Sequence, residues 1–237
     1  MIKVFGNKSE FELFAEHMIK PLQDDWVYLV WMVARKKYNS DLGSISRSEE
    51  MLARDILHYD DVKNMTRKLM RYGVDESCFI DRNTGDPIPQ NCIAFYMDLT
   101  PKSMAKAVLD FSRDVMDEIW LSRTDNNRLA RLQNPINLLF SKAHKCNAIP
   151  KPWIIIDVDS KDDFSPTIDI LHEYNIPYDW VSETRGGYHI FMPRGEHLKI
   201  FHQEAVKKIK KMNVEVLNTC QTPIPGTYQG GFIVKRL

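Results

Sequence analysis

Two aspartates in the last third of the chain have a spacing that could bind a metal ion. Asp157 and Asp159 follow an isoleucine run at 154–156, and this β-branched composition predicts a strand buried on both faces. Residues at i and i+2 of a strand lie on the same face of the sheet. Two carboxylates on one face suit hard cations such as Mg²⁺ or Mn²⁺. A strand that simply ends at an acidic turn, here 160–163, remains the alternative.

A histidine follows a glycine turn on a later predicted strand. His189 comes directly after Arg185, Gly186, Gly187 and Tyr188. Backbone amides without side chains, next to a cation, can form a concave site for phosphate. If the strand of His189 lies beside the aspartate strand, the imidazole could contact a metal-bound triphosphate. A structural histidine after an ordinary hairpin turn is the alternative.

The elements around these residues predict an α+β fold. From residue 148 onward the pattern is strand, helix, strand, strand, helix, strand, at Trp153 to Ile156, Ser165 to Tyr174, Tyr178 to Glu183, Tyr188 to Met192, Leu198 to Met212 and Val214 to Leu217. This βαββαβ order is the ferredoxin-like arrangement also found in RNA-recognition modules. Its first and third strands are central neighbours. We therefore expect an RRM-like core at 148–237, with a last strand at Gly231 to Lys235.

The first part of the chain, residues 1–147, is predicted to be a mainly helical lobe. Within residues 1–75 the apolar spacing and capping signals predict only helices. The first helix begins at Ser9, the second spans Trp26 to Tyr38, the third begins at Ser46, and the last ends near Gly73. A strand is predicted at Cys92 to Met97, and helices at Ser103 to Trp120 and Pro135 to Lys145.

Composition limits the classes of partner. The chain has 32 basic and 32 acidic residues, so any contact with nucleic acid requires a local patch. One such patch combines Arg35, Lys36 and Lys37 with Tyr38, which would suit stacking on a single strand. The four cysteines lack zinc spacing. The longest apolar stretch, 27–34, is too short to span a bilayer, so we expect a cytoplasmic protein without a membrane partner.

The apolar strand that ends in Asp157-Val158-Asp159, followed by Gly187-Tyr188-His189, resembles the archaeo-eukaryotic primase superfamily. The first motif of that family is an apolar strand ending in an acid-x-acid pair, and its second is a small residue, any residue and His. The resemblance implies Mg²⁺ or Mn²⁺ on the two aspartates and triphosphate contact by His189. It also implies two-metal phosphoryl transfer, in which a 3′-hydroxyl attacks an α-phosphate. Arg185 would neutralise the phosphates, and the backbone of Gly186 and Gly187 would help to bind them.

Two further segments bear on this resemblance. The stretch Pro223 to Gly231 is similar to a Pro-Gly-Thr segment of primase-polymerases from phages and plasmids, which implies that branch of the superfamily. Thr227 and Gln229 in it could make weaker polar contacts to the nucleotide, to a metal-bound water or to the template. The third family motif supplies another acid, for which Glu215 is the nearby candidate. If Glu215 shares the face of Asp157, a site of three carboxylates is complete. The alternative is an outward residue on an edge strand, which would argue against catalysis.

The expected function is therefore template-dependent nucleotide transfer by a DNA primase or primase-polymerase. Its partners would be single-stranded DNA and nucleoside triphosphates. The chain has no GxxxxGK[ST] run, the motif of nucleotide-driven motors. Unwinding would therefore come from a helicase in trans, and a polymerase could take over the product. Two alternatives stay open. One is a non-catalytic, primase-like replication accessory that binds nucleic acid, and the other is a DxD nucleotide-sugar glycosyltransferase.

Overall fold

The computed structural model has a mixed α/β architecture with antiparallel sheets, and it describes residues 1–20, 23, 25–38, 48–58, 62–75, 78–81 and 85–237. The strands are β1 (Trp26–Arg35), β2 (Glu49–Leu57), β3 (Ile93–Ser103), β4 (Trp153–Val158), β5 (Trp180–Glu183), β6 (Tyr188–Pro193), β7 (Val214–Leu217), β8 (Gln221–Pro223), β9 (Tyr228–Gln229), β10 (Phe232–Ile233) and β11 (Lys235–Arg236). The helices are α1 (Lys8–Met18), α2 (Val62–Met70), α3 (Met104–Leu121), α4 (Pro135–Lys145), α5 (Phe164–Glu173), α6 (Leu198–Ile200) and α7 (Val206–Ile209). A π-helical turn at Phe201–Ala205 joins α6 to α7, and short 3₁₀ turns include Lys36–Tyr38 and Asn126–Gln133.

The first sheet overturns the prediction that residues 1–75 are all helical. Its strand order is β10-β9-β3-β1-β2, and β8 also pairs with β3. The segment Trp26–Arg35, predicted as a buried helix, is the long strand β1, and only Lys36–Tyr38 forms a 3₁₀ turn. An apolar run without clear period is compatible with either structure. Here successive side chains fill cores on both faces of the sheet, Tyr28 on one and Leu29 on the other.

The helix predicted to begin at Ser46 is also wrong in its described part. Ser46 itself lies outside the described residues, but Glu49–Leu57 forms β2, which pairs with β1 along its length. This segment is rich in helix-forming residues such as Glu49 and Leu52, and tertiary pairing overrides their local preference. The predicted helices at α1, α3 and α4 are confirmed. Ser103 caps α3, and Asn7 rather than Ser9 caps α1.

The second sheet contains the βαββαβ order that the sequence predicts. Its strand order is β11-β5-β6-β4-β7, so β4 and β6, the first and third strands of the unit, are central neighbours. Helix α5 lies between β4 and β5 in the chain, and α6 and α7 lie between β6 and β7. Their apolar side chains pack on one face of this sheet, with Leu171, Phe201 and Ile209 fully buried. The opposite face carries Ile155 and Phe191, which belong to the apolar cluster of the first sheet, and beyond them Asp157 and His189.

The two sheets share a hydrophobic core. Phe14 of α1 makes edge contacts with Trp180 and Phe191 of the second sheet, at centroid distances of 5.4 and 6.1 Å. The same apolar cluster includes Met97 and Leu99 of β3. After β7 the chain returns to the first sheet as β8, β9 and β10, and it ends on the second sheet as β11. The expected division near residue 148 stays a prediction, and strand pairing crosses it. No helix in the described ranges is long and apolar enough to cross a membrane.

A buried ion pair fixes the end of β3 next to α4. Lys102 Nζ lies 2.8 Å from Asp98 Oδ2, and both side chains are less than one tenth exposed. The ammonium also donates to the His144 carbonyl at 3.1 Å and to Asn147 Oδ1 at 2.7 Å. The second carboxylate oxygen of Asp98 accepts from the Thr100 amide. Both charges are therefore compensated, as buried charges must be.

Replacing Lys102 by alanine should lower the free energy of unfolding by about 3 kcal/mol or more, because it leaves the Asp98 carboxylate buried without its cation. The control is Lys8→Ala, which breaks the exposed pair with Glu12 and should cost about 0.5 kcal/mol or less. Urea denaturation followed by circular dichroism measures both variants. Equal losses for the two would show that the buried pair has no special weight.

Candidate active site

A single cleft of about 410 Å³ brings together most of the residues that the sequence predicts to be functional. The second sheet contributes Asp157, Asp159, Arg185, Gly186 and His189. Thr184, directly after β5, and Leu217 of β7 complete this side. The first sheet, the turn that follows β1 and the segment after β7 supply the other walls, with Trp31, Arg35, Lys37, Tyr38, Glu49, Tyr96, Thr219, Gln221, Pro223 and Gln229. The cleft thus lies where the sheets meet, on the face opposite α5 to α7.

Strand pairing places Asp157 next to His189. The two residues are directly opposite in the β4–β6 register, so their side chains leave the sheet on the same face. His189 Nε2 lies 3.2 Å from Asp157 Oδ1, and Nδ1 lies 3.1 Å from the Thr222 hydroxyl on β8. His189 is 7% exposed. The imidazole therefore links the acidic strand to the first sheet, and triphosphate contact requires it to exchange one of these partners.

The surroundings of Asp157 stabilise its charged form. Burial by itself would raise the pKa of this carboxyl, but the hydrogen bond and charge of His189 oppose it, together with the positive charges of Lys37 and Arg35. The net result is a pKa below the ordinary value. Asp159 is exposed at the end of the same strand and also lines the cleft. The pair therefore offers one ordered and one accessible carboxylate.

Glu215 shares the face of Asp157 but stands at the side of the cleft. It is directly opposite Asp157 in the β4–β7 register, which answers the question of its orientation. Glu215 is exposed on the last strand of the sheet, and the cleft lining includes Leu217 of the same strand but not Glu215. Among the described residues, no three His, Cys, Asp or Glu side chains form a group ready to hold a metal ion.

The turn before His189 combines close packing with open space. A Cβ at Gly187 would lie 1.8 Å from the Val158 carbonyl oxygen, so β6 can approach the end of β4 only through a glycine. Gly187 N donates to the Thr184 hydroxyl at 3.1 Å. A Cβ at Gly186 would meet no atom within 4 Å, and this residue faces the cleft. Gly187 therefore shapes the turn, and Gly186 leaves room for a ligand.

Arg185 is fixed by the C-terminal segment. Its amide donates to Gln229 Oε1 at 2.7 Å, and its Nη1 donates to the Gly230 carbonyl at 2.6 Å. Its guanidinium lies over the Tyr38 ring at 5.1 Å. Gln229 also donates to the Tyr38 hydroxyl at 3.0 Å. Gln229, predicted to make polar contacts to a ligand, instead uses its amide oxygen and nitrogen to hold Arg185 and Tyr38 in place.

The first sheet adds residues that sequence reasoning did not place at the catalytic centre. Arg35 Nη1 donates to the Tyr96 hydroxyl at 2.7 Å, and Tyr96 stacks on Trp31 at 6.1 Å and 11°. Burial opposes the charge of Arg35, but Tyr96, Tyr38 and Glu49 outweigh it and raise the Arg35 pKa. The basic and aromatic mixture at Arg35 to Tyr38 was the available signal. Nothing in the sequence indicated Tyr96.

Thr227 does not reach the cleft. It is fully buried, and its hydroxyl donates to the Ile224 carbonyl at 2.7 Å. The adjacent Gly226 has φ +82°, and a Cβ there would lie 2.2 Å from the Asn7 carbonyl oxygen. Gly226 also accepts hydrogen bonds from the amides of Gly6 and Asn7. In this protein the Pro-Gly-Thr segment packs against the start of α1.

Comparison of the chain with protein-family models, with curated proteins and with solved structures finds no match.

Replacing His189 by leucine should raise the Asp157 pKa from its depressed position, because burial is then opposed only by the charges of Lys37 and Arg35. In the native protein the depressed pKa contributes stability above about pH 4, and this contribution is lost as the pH falls through the folded-state pKa. The variant should lose the part of this contribution that His189 supplies. Titration of the Asp157 carboxyl ¹³C shift measures the change, with the exposed His202→Leu as control. An unchanged Asp157 titration in the His189 variant would contradict the assigned coupling.

Gly187→Ala and Gly186→Ala test the tightly packed and the open position of the turn separately. The first places a methyl group against the Val158 carbonyl and should cost about 2 kcal/mol or more. The second meets no neighbour and should change stability by about 0.5 kcal/mol or less. Thermal unfolding measures both. The geometry of the turn is wrong if Gly186→Ala is the more damaging change.

Proposed function

We propose that the cleft is the active site of a template-dependent nucleotidyltransferase, a primase or primase-polymerase acting on single-stranded DNA. One observation carries this proposal: Asp157, Asp159 and His189 line the same cleft as the Arg185-Gly186 turn. Acidic oxygens for a cation and a cationic, open turn for phosphates are the two requirements of nucleoside triphosphate chemistry. The resemblance of these motifs to the archaeo-eukaryotic primase superfamily supports the same function.

The donor set fits Mg²⁺ or Mn²⁺. These cations take one or two protein carboxylates and complete their shell with water and substrate phosphates, which Asp157 and Asp159 allow. Glu215, on the same face, could join through a water molecule or a side-chain movement. When bound, the cation would neutralise phosphate charge and lower the pKa of the attacking hydroxyl. All three residues present hard oxygen ligands, which disfavours a zinc-type site.

The other residues of the cleft suit the remaining parts of the substrate. Arg185 and Gly186 would receive the triphosphate, with Arg35 and Lys37 as further cations on the opposite wall. His189 would orient Asp157 and donate to a phosphate oxygen once the nucleotide displaces one of its present partners. In the reaction the primer 3′-oxygen bonds to the α-phosphorus, the bond to pyrophosphate breaks, and the hydroxyl proton passes to solvent. The cations of the cleft would stabilise the charge of the leaving pyrophosphate.

The test is incorporation of labelled nucleotides on single-stranded DNA with Mg²⁺ or Mn²⁺. The native chain should form product, and Asp157→Asn/Asp159→Asn should lower the rate by about a thousandfold or more, as expected for loss of metal ligands. Asp162→Asn is the matched control, since Asp162 is exposed just beyond the strand and is not part of the cleft lining. It should retain native activity. Glu215→Gln in the same assay tests whether the third acid takes part.

The outcomes separate the competing functions. Absence of product with either metal, together with DNA binding by the native chain, would replace the enzyme by a non-catalytic replication accessory. Metal-dependent hydrolysis or transfer of a nucleotide sugar, without incorporation, would favour a glycosyltransferase. Product that survives the double aspartate variant would assign catalysis to other residues.

A further inference from the structure

An apolar stripe covers the outer face of α3 and is unrelated to the cleft. Helix α3 has 18 residues, but only Ala107 is buried. The exposed stripe consists of Ala105, Val108, Leu109, Ser112, Met116, Ile119 and Trp120. Met116 is 70% exposed and Trp120 is 66% exposed. Contiguous exposed apolar side chains of this size mark contact surfaces in soluble proteins.

The other side of α3 is already occupied, so the stripe is not its inward face. Asp114 forms an ion pair with Lys142 of α4, and Cys146, which follows α4, contacts Asp110 at 3.5 Å. Glu118 contacts Arg128 of the 3₁₀ segment at 3.7 Å. Helix α3 is thus held to its own chain by these polar contacts and by the packing of Met104 and Ala107 in the apolar cluster of Phe140 and Ala143. It presents a second apolar face to the outside.

Five of the seven residues of the stripe are placed symmetrically about Ser112. Val108 and Met116 stand four residues on either side of it, and Ala105 and Ile119 stand seven residues on either side. Spacings of four and seven keep residues on one helix face. An antiparallel copy of α3, related by a two-fold axis at Ser112, would therefore place Val108 against Met116 and Ala105 against Ile119. The small serine at the centre permits close approach of the two helices.

The charges beside the stripe favour the same arrangement. Lys106 and Asp117 are exposed on one flank of the stripe, and neither has an ion-pair partner among the described residues. In an antiparallel helix pair each flank meets the same flank of the other helix. Lys106 would then face the partner's Asp117, and the reciprocal pair would form at the other end. Arg113, nearest the axis, is tied to Asp110 of its own helix at 3.5 Å.

We propose that the protein forms a symmetric dimer through antiparallel packing of α3 against α3 of a second copy. The stripe spans about 21 Å from residue 105 to residue 119 at 1.5 Å per residue, and its apolar centre with a charged flank resembles known isologous interfaces. A parallel pair would bring Lys106 toward the apolar Met104 and Phe111 flank and would leave Asp117 without a cation. The proposal does not depend on the function of the cleft.

Sedimentation of the full chain over a range of concentrations tests the dimer. The native protein should convert from monomer to dimer as its concentration rises. Met116→Asp/Ile119→Asp should raise the dissociation constant more than about tenfold, because it buries carboxylates against apolar side chains. Met70→Asp is the matched control, since Met70 is a similarly exposed methionine on α2, and it should leave association unchanged. Circular dichroism checks that each variant is folded.

Charge reversal tests the antiparallel orientation. Lys106→Glu alone and Asp117→Lys alone should each weaken the dimer about fivefold, the magnitude of an exposed ion pair. The double variant Lys106→Glu/Asp117→Lys recreates both pairs with reversed sign and should recover native association. A native chain that stays monomeric at all concentrations would overturn the proposal. A dimer that the stripe variants do not weaken, or that the double reversal does not restore, would overturn it equally.

Discussion

The pairing of β4 with β6 is the constraint on which the candidate site depends. Its register sets Asp157 opposite His189, and a shift of one residue in either strand would turn one of these two side chains to the helix-covered face. Two features hold the register. The consecutive apolar residues of β4 are buried on both faces of the sheet, and Gly187 lets the start of β6 approach Val158. Local packing therefore fixes the geometry of the acidic strand before any ligand is bound.

The same histidine connects this register to the rest of the molecule. Its Nδ1 contacts Thr222 on β8, which pairs with β3 of the first sheet. The segment that follows then places Gln229 and Gly230 against Arg185. The last part of the chain thus crosses between the sheets and closes the cleft from the side opposite the aspartates. For this reason the walls of the site come from residues that are distant in sequence.

The sequence predicted the second sheet better than the first for a physical reason. In the βαββαβ unit, strands and helices alternate with clear turn residues, and Val214–Leu217 is confirmed to the residue. In contrast, β1 is apolar on both faces, so its sequence has no period that separates strand from helix. Glu49–Leu57 has the composition of a helix and becomes a strand only through β1. Such pairing is a tertiary effect that single-sequence patterns do not contain.

The residues of the candidate site divide in the same way, into those found by local motifs and those placed by strand pairing. Asp157, Asp159, Arg185, Gly186 and His189 lie in short local motifs, and the structure brings them into one cleft. Tyr96 reaches it because β3 pairs with β1, which sets Tyr96 opposite Trp31. Thr227 is the opposite case. Its motif suggested a polar contact to a ligand, but the residue is buried and packs outside the cleft.

The chain has zero net charge, but charges of both signs are concentrated in the cleft. Asp157, Asp159 and Glu49 line it together with Arg35, Lys37 and Arg185. Under the proposed function, this local charge is what would bind a polyanionic substrate. Together with His189, the cations Lys37 and Arg35 stabilise the Asp157 carboxylate and lower its pKa, so its charge is compensated within the cleft. A metal ion bound to the aspartates would release these cations for phosphate. Metal and triphosphate would then bind cooperatively. The metal would free Lys37 and Arg35 from Asp157 for the phosphates, and the phosphates would free Asp157 from these cations for the metal.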